Sequence, residues 1–383
     1  MKIGITTYWR GTSNYGQIVQ HWALQTALSK MGHNAFLIRY YPGYNHGLLK
    51  RWIKEYHIAD YVRSFYSILK GDKTPFNRIL HDRNRNFASF RNNYLSVSIN
   101  KYYSLEALQS NPPIADAYVT GSDQVWSQLL SNKENETYFL NFGSKDTIRI
   151  AYAPSFSMEE YPRELVPKLS ENLSRFNSVS CREHSGVEIC CKAGYNNAVK
   201  VLDPTFLLKK DDYLKLISQD KNYPHRDHLF IYSLNISSSE EIRWNELKNE
   251  LNIHNCVITP SDGYFNGSEL FGSDVEYCYG TVQDWLTEIF NSSLVVTPSF
   301  HGIALSIILE KDFIYTPLKG ECGKGNNRVL DLLGDLGLTD RILTDDKTYS
   351  EVAAKSIQWD KVNESLRILR DDSISFLRNS LQL

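Results

Sequence analysis

The run Leu294-Val295-Val296-Thr297-Pro298-Ser299-Phe300-His301-Gly302-Ile303-Ala304-Leu305-Ser306-Ile307-Ile308-Leu309 decides the fold. Its first three residues are apolar and follow a polar helix end. That pattern reads as a strand buried on both faces of a parallel sheet. The second half is almost wholly apolar, with Ala304 and Ser306 small enough for close packing, and reads as a buried helix. Between them lies a tight turn carrying a histidine and a glycine. Strand, turn and helix form the repeating unit of an open α/β sheet, where ligands bind beyond the carboxyl ends of the strands. The helix N-terminus there offers unpaired N–H groups and the positive end of its dipole, which suits an anion. His301 would stand beside that anion as a proton donor. The alternative is that it caps the helix or is a hydrogen-bonded core histidine.

The same rhythm extends outward. Residues 2–7 read as a strand, 11–16 as a polar loop bounded by glycines, 17–31 as a helix stopped by Gly32, and 35–38 as a second strand. The loop is not G-x-G-x-x-G, so the dinucleotide fingerprint is absent. Strand 117–120 runs into Gly121-Ser122-Asp123-Gln124-Val125-Trp126. Strand 148–153 ends at Pro154-Ser155-Phe156. Strand 178–181 leads to Arg182-Glu183, and strand 199–202 closes on Asp203-Pro204-Thr205. A helix over 209–218, strands at 229–234, 256–259 and 313–316, and helices over 239–251 and 281–290 repeat the alternation. A glycine-rich loop at 320–327 then precedes a helix that begins with Arg328, and the chain is helical from 350 onward. These units predict an α/β protein of two Rossmann-like domains, 1–205 and 206–383, facing across an interdomain cleft that holds the site.

Composition narrows the function. The chain has 383 residues, 42% of them hydrophobic, enough for two cores, and a formal charge of −2, which gives no global field for nucleic acid. Its six cysteines include no C-x-x-C pair and are expected to be free thiols of the cytoplasm. Residues 1–7 read as a strand rather than a leader, and no run of about 18 apolar residues is present to span a membrane. No Asp/His cluster suggests a metal. One stretch stands apart, a helical insertion over about 46–92. From Lys50 to Arg91, ten basic residues face four acidic ones, interleaved with Trp52, Tyr56, Tyr61, Phe65 and Tyr66. A basic, aromatic, amphipathic helix reads as a contact with the inner membrane face. The alternative is a solvated helical hairpin that caps the domain.

Taken together, G-S-D-Q-V-W at 121–126, Y-A-P-S-F at 152–156, C-R-E at 181–183, L-D-P-T at 202–205 and S-F-H-G at 299–302 resemble the polysaccharide pyruvyl transferases. The earlier N-Y-G and A-L-Q at 14–16 and 23–25, and the stretch around Arg328, fit the same pattern. The resemblance implies a GT-B-like fold. It implies transfer of pyruvate from phosphoenolpyruvate, a co-substrate rather than a cofactor, to two hydroxyls of a hexose. The product is a cyclic ketal, and a 4,6-ketal on galactose in capsular or other cell-surface polysaccharide is the leading expectation. The acceptor would be a sugar, lipid-linked if the insertion docks on a membrane. The resemblance assigns the donor site to Arg182 and His301. One family pattern has an arginine two places before the histidine; here that place holds Ser299, so Arg328 or Lys324 would supply the cation. Ser299, Phe300, Gly302, Gly121, Ser122, Gln124 and Ser155 would line the site as motif residues, and Asn14 and Tyr15 would touch the acceptor.

These residue types suit that chemistry. A guanidinium grips carboxylate and phosphate oxygens bidentately. Ketal formation needs a proton on the enol methylene, which His301 would give, and a base for the hydroxyl, Asp123 or Glu183. Structural alternatives remain for several. Arg182 could pair with Glu183 or Asp203, Asp123 could cap the following turn, and Trp126 reads as core rather than a sugar platform. Two other functions compete: a GT-B glycosyltransferase using a nucleotide sugar, and a non-catalytic protein of polysaccharide assembly.

Overall fold

In the computed structural model the described residues are 1–9, 14–42, 58–71, 74–217, 228–234, 246–251, 255–261 and 275–382. Parts of the expected 11–16 loop, the 46–92 insertion, the 239–251 helix and the loop before strand 229–234 lie outside them. Twelve strands form two all-parallel sheets among the described residues. The first contains β1 (Lys2–Thr6), β2 (Asn34–Tyr40), β3 (Val97–Tyr102), β4 (Ala117–Thr120), β5 (Ile148–Ala151), β6 (Ser178–Cys181) and β7 (Val199–Lys200). Their spatial order is β3-β2-β1-β4-β5-β6-β7. The second contains β8 (Leu229–Ser233), β9 (Cys256–Pro260), β10 (Glu276–Tyr277), β11 (Leu294–Thr297) and β12 (Phe313–Tyr315), in the order β10-β9-β8-β11-β12. Their central strands are buried on both faces because helices cover both sides, which is why they read as continuous apolar runs.

Each sheet reverses its strand order once. In the first sheet β4 pairs with β1, and in the second β11 pairs with β8. Ligand crevices form at such reversals. The turn after β4 carries Gly121–Gln124 and the turn after β11 carries Ser299–His301, so both motifs sit at switch points.

The lobes share one apolar core rather than merely touching. Helix Tyr15–Lys30 runs between them and is buried from Tyr15 to Gln25 on every side. Two helices of the second lobe, Val282–Asn291 and Phe300–Ile308, pack on it. The expected division at 205/206 falls between the sheets. However, residues after it stay with the first lobe: Tyr213 packs edge-on to Trp22 at 5.3 Å, and Lys30 pairs with Asp212 at 2.6 Å. The terminal helix Trp359–Leu381 also returns to the first lobe, where the Leu202 N–H donates to Ser373 Oγ at 2.9 Å. At its other end Asn363 donates to Glu310 of the second lobe at 2.8 Å. Among the described residues, no helix is long and apolar enough to cross a membrane.

Candidate active site

The first lobe builds its half of the site from four turns at the carboxyl ends of β4, β5, β6 and β7. They are laced to one another. The Ser155 N–H donates to the Asp123 carbonyl at 2.8 Å, and the Trp126 N–H to the Ser155 carbonyl at 3.2 Å. Gly121 has φ +108, and a Cβ there would lie 2.2 Å from the Tyr152 carbonyl oxygen, so only glycine fits. Asp123, at φ +74, folds back so that its carboxylate accepts from the Gln124 N–H at 2.8 Å. Trp126 is core, stacked on Phe139 at 4.9 Å.

Arg182 and Asp203 form the centre. Arg182 Nη2 lies 2.9 Å from Asp203 Oδ2 and donates to Ser122 Oγ at 2.5 Å, all fully buried. Ser122 Oγ is also 3.1 Å from Asp203 Oδ2 and 2.8 Å from the Ala153 carbonyl, and its one proton serves only one of them. Asp203 Oδ1 accepts from the Thr205 N–H at 2.9 Å and its hydroxyl at 2.8 Å. The ion pair with Asp203, one of the structural alternatives for Arg182, is therefore real. It does not exhaust the arginine: Nε and Nη1 are buried without a hydrogen-bond partner.

Glu183 points the other way. Its Oε1 accepts from Ser155 Oγ at 3.0 Å, the Phe156 N–H at 2.8 Å and the Ser157 N–H at 3.3 Å, and Oε2 is buried and unpartnered. Thus Glu183 fixes the β5 turn while keeping one free oxygen.

The second lobe supplies His301. Helix Phe300–Ile308 is capped by Ser299, whose Oγ accepts from the Gly302 N–H at 3.3 Å. This corrects two expectations. Ser299 and Gly302 are engaged in the helix start and not offered to a ligand, and the helix N-terminus is already partly satisfied. His301 is buried, and its Nε2 lies 3.6 Å from Asp203 Oδ2, an ionic contact longer than a hydrogen bond. So Arg182 and His301 converge on one carboxylate oxygen from opposite lobes. The Phe300 ring lies under the Arg182 guanidinium at 4.8 Å. Arg328, at the start of helix Asn327–Asp335, reaches the same region. With the Gln124 amide oxygen turned toward it, its two terminal nitrogens donate at 2.8 and 2.6 Å. Lys324 is exposed on the turn Gly320–Gly325.

Charge follows this geometry. Burial is the largest influence on Asp203 and would raise its carboxyl, but Arg182, His301 and the Thr205 N–H together hold it well below the usual carboxylate range. Burial pushes the Glu183 carboxyl up, against the pull of Arg328 and Arg182. Burial, then repulsion from Arg182, lowers Arg328, with Glu183 and Asp123 opposing. Two guanidinium groups close enough to repel each other are the arrangement expected around a small anion. Arg182 is paired through Nη2 and Arg328 donates through both terminal nitrogens to Gln124, so of these two guanidinium groups it is Arg182 Nε and Nη1 that are left without a partner.

Tyr15 is a further correction. It is fully buried, stacked on Trp285 at 5.3 Å, and donates to the Gly280 carbonyl at 2.7 Å, so it pins the lobes together rather than touching an acceptor. Asn14 is exposed, and its side chain caps helix Tyr15–Lys30 by accepting from the Gln17 N–H at 3.0 Å. Ser155 is turned inward onto Glu183.

The sequence reading missed three contributors. Gly16 lies against the imidazole: a Cβ there would sit 2.3 Å from His301 Nδ1. Gln20, one turn further on the same helix face, and His21 are buried with no partner for their polar atoms. Burial holds His21 down to about 3, against the opposing pull of Asp123. A histidine inside a helix gives no local signal of this. No group of three or more metal-ligating side chains occurs among the described residues.

A family model described as polysaccharide pyruvyl transferase matches residues 14–317. Among solved structures, UDP-N-acetylglucosamine 2-epimerase from Rickettsia bellii is similar with a TM-score of 0.52 at 10% identity, over 100% of this chain and 97% of that one. UGT89C1 of Arabidopsis thaliana gives 0.47 at 10% identity, over 100% and 98%. The heptosyltransferase WaaC of E. coli with ADP gives 0.40 at 13%, over 85% and 90%. At 10% identity the likeness to the epimerase is one of fold alone, and the chain's own architecture is two Rossmann-like lobes. No curated protein sequence matches the chain.

Proposed function

The chain belongs to the polysaccharide pyruvyl transferase family, and we propose that it moves pyruvate from phosphoenolpyruvate onto two hydroxyls of a hexose, leaving a cyclic ketal and inorganic phosphate. One observation carries this reading. Arg182, with two buried and unpartnered nitrogens, and His301 meet at one carboxylate oxygen from opposite sides of the cleft, with Arg328 beside them.

In the proposed reaction Arg182 and Arg328 hold the carboxylate and phosphate of the donor. His301 protonates the methylene carbon, which becomes the methyl group, and the neighbouring carbon turns electrophilic. One sugar hydroxyl adds there and loses its proton to a carboxylate. Glu183 is the better matched base, because burial lifts its carboxyl toward the working pH and Oε2 is free. Asp123 is the second choice. The carbon–oxygen bond to phosphate then breaks, the second hydroxyl closes the ring, and its proton leaves with phosphate or the base. The balance requires no oxidant and no phosphoryl acceptor. A 4,6-ketal on galactose of a capsular or other cell-surface polysaccharide is the leading acceptor, and the reaction belongs in the cytoplasm, where phosphoenolpyruvate is made.

Mass spectrometry tests the reading. Aryl galactosides incubated with protein and phosphoenolpyruvate should gain one pyruvate with loss of water. Thermal stabilisation by sugar nucleotides but not by phosphoenolpyruvate would overturn it in favour of a glycosyltransferase.

A further inference from the structure

We infer that the outer face of the helical insertion docks on an anionic phospholipid surface, so that the acceptor is presented at a membrane. Helix Ile58–Leu69 is turned inside out. Val62, Phe65, Tyr66 and Leu69 recur at the spacing of one helical stripe and are 51%, 63%, 63% and 68% exposed, whereas Ser64 is buried. The Phe65 and Tyr66 rings meet edge-on at 6.4 Å, which gives the stripe an aromatic centre. Four large apolar side chains in one row outside the core mark a contact surface rather than scattered exposure.

The occupant follows from charge. From Lys50 to Arg91 the sequence has ten basic and four acidic residues, in a chain whose net charge is −2. The positive excess is therefore confined to this insertion, and the rest of the chain is negative. Arg85 and Asp82 are spent internally on each other at 2.9 Å, while Lys70 and Arg83 are exposed. A second copy docking face to face would set the exposed Lys70 and Arg83 against their like charges. An anionic bilayer instead offers acyl chains to the stripe and negative headgroups to Lys70 and Arg83, as interfacial amphipathic helices require.

Position links this face to the site. Helix Thr74–Arg85 packs against helix Ile58–Leu69 and is tied to the second lobe. Arg85 Nη2 donates to the Pro260 carbonyl at 2.8 Å, and His81 stacks on Tyr279 at 3.4 Å. Pro260 ends β9, so the insertion sits on the carboxyl edge of the second sheet, the edge onto which the cleft opens. A membrane beneath the stripe lies beside the route by which a lipid-linked sugar would enter. Only this statement about the acceptor rests on the function proposed above.

Vesicle flotation of the full chain tests the docking. The probes are phosphatidylcholine vesicles, alone and with one part phosphatidylglycerol to two of phosphatidylcholine, at low and high salt. The protein should float with the anionic vesicles and less so in salt. A variant with Phe65→Ser and Leu69→Ser should bind roughly tenfold more weakly or worse. Lys70→Gln and Arg83→Gln should each weaken binding about fivefold. Melting temperature and turnover of a water-soluble aryl galactoside should not change in any of them. The docking is overturned if wild type stays unbound, if the double variant floats equally well, or if wild type self-associates through this face in sedimentation velocity without floating. Flotation without pyruvate transfer to any acceptor sinks the proposed reaction and leaves the docking standing. Transfer to soluble acceptors without flotation does the reverse.

Discussion

The two halves of the site are held in different ways. The first-lobe half is a hydrogen-bonded lattice: Arg182, Ser122, Asp203 and Thr205 bind one another, and Glu183 ties down the β5 turn. In the second-lobe half, His301 makes no hydrogen bond through Nε2 and is positioned by packing against Gly16. The difference separates stability from chemistry. Removing a lattice member leaves a buried charge exposed to an apolar interior, whereas removing the imidazole leaves nothing unpaired. Stability and turnover should therefore respond differently on the two sides of the cleft.

Arg182→Ala tests the lattice with the largest expected effect. It strands Asp203 as an uncompensated buried carboxylate, and unfolding by denaturant should show a loss of about 3–5 kcal/mol, with transfer abolished. His301→Gln tests the other side: transfer should fall by about 10²–10⁴-fold, while unfolding free energy shifts by less than about 1 kcal/mol. A His301 variant as unstable as Arg182→Ala would erase the contrast. Gly16→Ala probes the packing contact. The new methyl meets the imidazole at 2.3–2.4 Å, so overpacking should cost about 1–3 kcal/mol. Because His301 Cβ is itself 2.4 Å from the new methyl, the cost should persist in a His301→Ala background and largely vanish in His301→Gly; full additivity of Gly16→Ala with His301→Gly in the double-mutant cycle would remove the contact from the account.

Acid titration gives the smallest and finest comparison. Asp203 is held below the carboxylate range, so its stabilisation is present above about pH 4 and fades as pH falls further. His21, held down to about 3, stays neutral in the native state while the unfolded chain takes up a proton below about pH 6.5. Its contribution is complete above that pH and shrinks toward 3. His21→Gln should flatten the stability profile in that window by up to about 1.4 kcal/mol per pH unit. An unchanged slope would mean that the ring is protonated in the folded chain.

What could be read from the sequence was what is local. The turns after β4, β5, β6 and β11 announced themselves because each follows an apolar run and carries polar residues in a fixed order. Arg182 and His301 could therefore be singled out as candidates, whereas their meeting at one oxygen of Asp203 could not, since it depends on how the lobes face each other. Tyr15 was misread for the same reason. A tyrosine beside a polar loop suggests a sugar contact, but Trp285, 270 positions later, covers it. The helix Tyr15–Lys30 hid its burial from Tyr15 to Gln25 behind the polar Gln17, Gln20, His21 and Gln25. Strands β3 and β10 escaped notice because polar residues, Ser98, Asn100 and Lys101 in one and Glu276 in the other, break their apolar pattern.

The hydrogen bond from the Leu202 N–H to Ser373 spans 171 residues. It completes the strand end that presents Asp203, so the amino-terminal lobe borrows part of that edge from the end of the chain. During synthesis that edge stays unfinished until the last helix has emerged, and a separately expressed fragment of residues 1–217 would lack the clasp that seats its own ion pair.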